Sequence, residues 1–263
     1  VLVENRIGAG GNIGTDAVAK AAPDGGMLLL ASQGPLANNK LLYKNLPYDP
    51  EKDLEPIAFL GESPMVIMVK KSSPYLRLGD LLGDARGGQA PLNFGSPGNG
   101  TIGHLTLELV RANSKRPISL VTYKGGAPVI ADILGQVLDG GADGYTASAV
   151  NHARNGALRI LAFTSAERVD SAPGIPSVVE EGFPQLRTTF WFALVGPRGM
   201  PQEFVARVNR EVNAYLTSSA GGAKLQGMGI RALAGAPEMV TQRMRDELAK
   251  WAPIVRAQGI KLE

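Results

Sequence analysis

The sequence predicts an α/β fold built mostly on parallel strands in two lobes. Three observations predict it. Short apolar runs alternate with stretches of helical period along the chain, the pattern of sheets covered by helices. Some runs, such as Met27–Ser32 ("MLLLAS"), show no polar alternation, as in strands buried on both faces. Two further runs, Met65–Val69 and Phe190–Val195, stand far apart in the chain. If both cross between lobes, residues 1–65 and 191–263 form lobe 1, and residues 66–190 form lobe 2.

The elements follow in order. Val1–Val3 reads as a short buried strand. "GAGGNIGTDAVAKAAPDG" is a glycine turn, a helix with Ile13, Ala17 and Val18 inward, and a Pro-Asp-Gly stop. Met27–Ser32 is a strand. "PIAFLGESPMVIMVKKS" reads as two strands about Gly61–Pro64, and "RLGDLLGDAR" as a short helix. Leu92–Gly95 is a strand and Thr101–Arg111 a helix. Ser119–Tyr123 is a strand, followed by a helix in "APVIADILGQ". Leu158–Thr164 and Phe190–Val195 are strands. Phe204, Val208, Val212 and Tyr215 then recur at helical spacing, as do Val240, Met244, Leu248, Trp251 and Val255. These stripes predict two amphipathic helices with Tyr215 and Trp251 in the core.

Composition narrows the function. A chain of 263 residues, 44% hydrophobic and 19% charged, holds one or two domains with a real core. It has no cysteine, which excludes disulfides, zinc-thiolate sites and thiol catalysis. The net charge of +3 is not gathered into basic runs interleaved with aromatics, so nucleic acid is not an expected partner. A mild positive balance suits a small anion. No apolar run reaches the roughly 18 residues of a membrane span, so no membrane insertion is expected. The sequence begins "VLVEN", without a signal peptide, and a segment removed upstream is the expectation.

Gly98–Gly103 spells G-x-G-x-x-G between a strand and a helix. A dinucleotide fold needs an acidic residue about 20 positions further on. None occurs before Asp132, inside the next helix, so the ribose has no partner and a nicotinamide cofactor is not expected. There is no P-loop and no G-x-S-x-G elbow. His104 and His152 lack metal-ligand spacing. Asp139 and Asp143, four apart, could be an acid and a base, but solvated turn carboxylates are far commoner. What remains is a strand delivering the chain to short polar side chains, Ser96, Asn99 and Thr101, with Gly98 and Gly100 allowing close backbone approach. The helix behind them offers free N–H groups and a partial positive charge. Two readings stand side by side: an anion site, or a plain N-cap by Thr101 or Asn99.

The segments "VLVENRIGAGGNIG", "AKAAPDG", "LYKNLPYDPEKDL", "LNFGSPGNGTIGHL", Tyr123–Gln136, "ALRILAFTSAER", "PSVVEEGFP" and "WFALVGPRGMP" span the chain in order. Together they resemble the Bug/TctC solute-binding proteins of tripartite tricarboxylate transport systems. There are departures. One glycine is missing before Gln136, Gly26 stands where an aromatic is usual, and Ile7 replaces a common proline. The resemblance implies a periplasmic, non-catalytic receptor without cofactor or metal, monomeric, of the type II periplasmic-binding-protein fold. Two α/β lobes joined by two crossing strands would close on a small carboxylate. It implies ligand contacts from Ser96, Gly98, Asn99, Gly100 and Thr101, from Ser32 and Gln33 in another pocket loop, from Asp143, and from Tyr123 at a strand end. His104 is expected to make a structural hydrogen bond. The partners implied are the organic acid and the membrane permease subunits.

Measured against that pattern, the first βα unit, with its glycine turn, is missing from this chain. The expectation is an exposed apolar sheet edge and weak carboxylate binding by residues 1–263 alone. Two other classes remain open on the residues themselves. A ligand-sensing regulatory module would need a helix-turn-helix, which the sequence lacks. An enzyme acting on a phosphorylated or carboxylated small molecule would need an acid–base pair, which an activity screen would reveal.

Overall fold

The computed structural model describes residues 1–6, 8–85 and 90–261. Ile7, and Arg86 at the end of "RLGDLLGDAR", lie outside the described residues. The chain divides into two compact units, Val1–Glu62 with Trp191–Glu263, and Ser63–Phe190. The chain passes from one to the other twice, within two long strands.

The first unit holds α1 (Asn12–Ala19), β1 (Leu29–Ser32), a helical turn Gly34–Asn38 that runs into α2 (Asn39–Leu42), and the first part of β2 (Leu54–Lys70). After the second unit it resumes within β7 (Thr189–Pro197), then α7 (Gln202–Thr217), α8 (Ser219–Gly227), β8 (Arg231–Ala232) and α9 (Glu238–Gln258). β1 runs antiparallel to β7, with Leu30 opposite Leu194. β7 is hydrogen-bonded to β2, and β8 pairs β2 at Gly61 and Glu62. The core gathers Leu36, Leu54, Phe59, Trp191, Val240 and Met244. Trp251 is fully buried, as its helical stripe predicts.

The second unit carries the rest of β2, then α3 (Leu78–Gly83), β3 (Leu92–Ser96), α4 (Ile102–Asn113), β4 (Ile118–Thr122) and α5 (Gly126–Leu134). It continues with β5 (Gly140–Gly144), α6 (Ala147–Arg154) and β6 (Leu158–Phe163). Its strand order is β6-β2-β5-β3-β4. β3 is parallel to β4 and β5, and β2 is antiparallel to both β5 and β6. α5 and α6 bury Val129, Ile133 and Val150 against Val66, Met68 and Phe163.

Several sequence expectations are corrected. The sheets are mixed: β3 is parallel to β4 and β5, whereas β1–β7, β2–β5, β2–β6 and β2–β8 are antiparallel. Leu30 is 63% exposed, so β1 is not covered on both faces. Val1–Val3 form no strand and are exposed, because apolar residues make a strand only where a partner strand is hydrogen-bonded to them. Gly61 and Pro64 do not split β2. A Cβ at Gly61 would lie 2.5 Å from the Arg231 carbonyl, so the glycine lets β8 approach. Ile13 faces solvent while Thr15 and Val18 face inward. Tyr215 is 50% exposed, because α7 turns its buried side through Val205 and Leu216.

β5 carries no apolar pattern, since its sequence is Gly-Gly-Ala-Asp-Gly. Packing demands this. A side chain at Gly140 would collide with the Met68 carbonyl and the Phe94 ring, and one at Gly141 would lie 2.7 Å from the Gly95 carbonyl. Gly140→Val is therefore expected to lower stability by about 1–3 kcal/mol through overpacking. Gly144→Ala, at a position facing open space, serves as the control. Thermal denaturation of the two variants checks this, and equal midpoints would contradict it.

Candidate functional site

β3, β4 and β5 run in parallel, so their C-terminal ends share one edge of the second unit. A helix starts just beyond each: α4 after Ser96, α5 after Thr122, α6 after Gly144. The first turn of every helix leaves N–H groups without intrahelical acceptors and carries partial positive charge. Parallel sheets bind ligands outside these carboxyl ends, where neighbouring connections diverge. Here α4 connects β3 to β4, while β5 on the other side of β3 leads into α6.

The Ser96–Thr101 loop is locally determined. Gly100 has φ +72°, a left-handed conformation that favours glycine. Thr101 is the N-cap of α4, its hydroxyl donating to the Gly98 carbonyl at 2.7 Å and accepting from the His104 N–H at 3.3 Å. The Gly100 N–H donates to His104 Nδ1 at 3.1 Å, and the Gly125 N–H donates to the Pro97 carbonyl at 2.8 Å, tying the α5 approach to the same loop. Ser96 is fully buried at the end of β3, and its hydroxyl has no hydrogen-bond partner. Asn99 and Thr101 are exposed. The plain N-cap reading therefore holds for Thr101, and the Ser96 hydroxyl beside the loop is buried without a hydrogen-bond partner.

Asp143, on β5, lies against Gly126 in the first turn of α5, where a Cβ would occupy the carboxylate's place. Burial pushes its carboxyl above the usual carboxylate range. Asp139 sits at the opposite end of β5, paired with Lys70 at 2.7 Å and accepting from the Asn93 N–H, so the two aspartates do not form an acid–base pair. Tyr123 lies just past β4, its hydroxyl donating to Asp132 Oδ2 at 2.6 Å, a bond that raises its own pKa. In the first unit, Ser32 ends β1 partly buried. Gln33 is buried, and its Oε1 accepts from the Trp191 N–H at 3.1 Å. The second unit thus brings Ser96, Gly98, Asn99, Gly100, Thr101, Tyr123 and Asp143 to one sheet edge, and Ser32 and Gln33 belong to the other unit.

Three residues at the helix starts were not singled out for the site by the sequence reading. Gly125 (φ +109°) and Gly126 open α5, and Thr146 caps α6 by accepting from the Ala149 N–H at 3.1 Å. The signal for Thr146 was a threonine immediately before Ala-Ser-Ala, an ordinary N-cap pattern. Among the described residues no group of three His, Asp or Glu side chains could hold a metal ion. No described helix is long and apolar enough to cross a membrane.

Three helix N-termini thus open at one parallel edge of the second unit, an arrangement suited to an anion. The chain belongs to the TctC family, the tripartite tricarboxylate transporter family receptors, whose model matches residues 1–260. It is 33% identical to protein BugT of Bordetella pertussis over 264 aligned residues, covering 100% of this chain and 81% of that one. The structure of R. palustris Rpa4515 with adipate matches with a TM-score of 0.86 at 33% identity, covering 99% of this chain and 87% of that one. MatC (Rpa3494) from Rhodopseudomonas palustris with bound malate matches at 0.78 and 28%, covering 96% and 86%. The fold is thus that of the Bug/TctC periplasmic binding proteins, and the family consists of solute-binding receptors.

Proposed function

We propose that the protein is a periplasmic, non-catalytic, monomeric receptor. It captures a small organic carboxylate and delivers it to the permease subunits of a tripartite transporter. The observation that carries this reading is the buried Ser96 hydroxyl, without a hydrogen-bond partner, at the sheet edge beyond which α4, α5 and α6 begin. Charge-assisted hydrogen bonds contribute about 1.5–3 kcal/mol each, so two or three in a preorganised site reach micromolar affinity. The ligand carboxylate lies at Ser96 and the Gly98–Thr101 loop. Asp143 and Tyr123, from the same edge, meet the ligand's polar groups. The adipate and malate held by the two neighbours support a carboxylate as the class.

The test is a thermal-shift panel of mono-, di- and tricarboxylates, adipate and malate included, on the protein as made in its native host. A ligand that binds only the folded state stabilises it by mass action. The expected result is a hit that rises with concentration and is weakened by Ser96→Val. A panel without a carboxylate hit overturns the reading.

A further inference from the structure

The opposite edge of the second unit holds a recess that the carboxylate site does not use. β6 runs antiparallel to β2, with Lys70 opposite Leu158, so the start of β6 lies at the far end of the sheet from Ser96 and Gly144. There the end of α6, the start of β6 and the Ala172–Ile175 segment line an open recess of about 630 Å³. That volume lies within the range of small-molecule sites, roughly 300–1,000 Å³. Its floor is apolar, with Val150, Ile160 and Ile175 among the lining residues, and Lys71, Arg154 and Arg159 line it as well.

The charge of the recess is one-sided. No carboxylate lines it among the described residues. Lys70 is neutralised by Asp139 at 2.7 Å, whereas Lys71 forms no ion pair among the described residues. The two arginines are held by backbone carbonyls: Arg154 Nη2 donates to Ser171 O at 2.6 Å, and Arg159 Nη1 donates to Ser73 O and Tyr75 O at 3.2 and 2.9 Å. Each guanidinium has five N–H donors, so each is oriented through one nitrogen and keeps others for an anion. Fixed guanidiniums beside an apolar floor are a recognition site for an amphipathic anion.

We propose that this recess binds a second class of ligand: a monocarboxylate with an apolar body, straight-chain or aromatic. The body lies on Val150, Ile160 and Ile175, and the head group meets Arg154, Arg159 and Lys71. The site is independent of the one at the α4 end.

Amide-resolved NMR titration of the full chain with octanoate tests it, with octan-1-ol and acetate as controls. The expected result is saturable shifts at residues 150–160 and 171–175, with at least tenfold weaker binding for the alcohol and for acetate. Arg154→Gln is expected to weaken octanoate binding about tenfold or more, as loss of a charge-assisted bond does. Gly174 also lines the recess, and a Cβ there meets open space. Gly174→Glu therefore places a competing carboxylate at the rim and is expected to abolish binding in a folded protein. Unsaturated shifts, equal binding of octan-1-ol, or unchanged titration of both variants would overturn the proposal. So would octanoate shifts confined to Ser96–Thr101, a result that leaves the receptor reading standing.

Discussion

Trp191→Ala is expected to cost about 3–5 kcal/mol of stability, the largest effect of any single truncation considered. Trp191 has no exposed surface and stacks on Phe59 with ring centroids 5.6 Å apart and planes 26° apart. It lies in the first unit's core with Leu36, Leu54 and Met244. Removing the indole leaves a cavity at the centre of a close-packed cluster, so the lost transfer energy is joined by lost dispersion contacts. By the size scaling for a domain of this class, the melting midpoint of that unit should fall by roughly 10 °C. Differential scanning calorimetry reads it. Tyr215→Ala, at a half-exposed position, should shift stability by no more than about 0.5 kcal/mol. If the two variants melted alike, the assignment of the core would be wrong.

His104→Ala is expected to cost about 1–3 kcal/mol, to lower carboxylate affinity about tenfold, and to remove a pH dependence from both. His104 Nδ1 accepts the Gly100 N–H, so the loop at the α4 N-terminus depends on an unprotonated ring nitrogen. Burial, and then the nearby Arg111 charge, hold the His104 pKa below its ordinary value of 6.5. A histidine depressed in the folded state binds its proton more readily when unfolded. Its contribution to stability is therefore complete above about pH 6.5 and is lost as pH falls toward the folded pKa. Glu108, 3.5 Å from His104 Nε2 and bonded to Arg111, has its pKa raised by burial and works in the opposite direction nearer its own range. Urea denaturation and ligand titration from about pH 7.5 to 5.5 separate the two variants. Wild type should weaken below about pH 6.5, and His104→Ala should stay flat across that window. Parallel curves would remove His104 from the role of positioning the loop.

Much of the second unit is legible in the sequence because its signals are local. The Leu92–Ser96 strand, the glycine turn and the Thr101 cap lie within a few residues of one another. A strand end, left-handed glycine and N-cap can be read from such a stretch without knowing what packs against it. The α9 stripe is legible for the same reason, since a period of 3.6 residues is a property of one segment. The failures are equally physical. β5 is a strand of Gly-Gly-Ala-Asp-Gly, and only the Phe94 ring and the Met68 carbonyl, far away in sequence, explain why glycines stand there. Tyr215 satisfies the helical spacing yet faces solvent, because the partners of α7 meet it through Val205 and Leu216.

The sequence by itself determined the alternation of strands and helices, the absence of thiol chemistry, and a helix-opening loop suited to an anion. Each of these depends on composition or on neighbours in the chain. Only the tertiary structure decided that β2 is one strand, that the sheets are mixed, and that the Ser96 hydroxyl is buried without a partner. It alone brought three helix ends from residues 102, 126 and 147 to one edge, and it alone separated Asp139 from Asp143 at opposite ends of β5. Strand pairing, register and burial are set by groups distant in sequence, whose contacts exist only once the chain has folded.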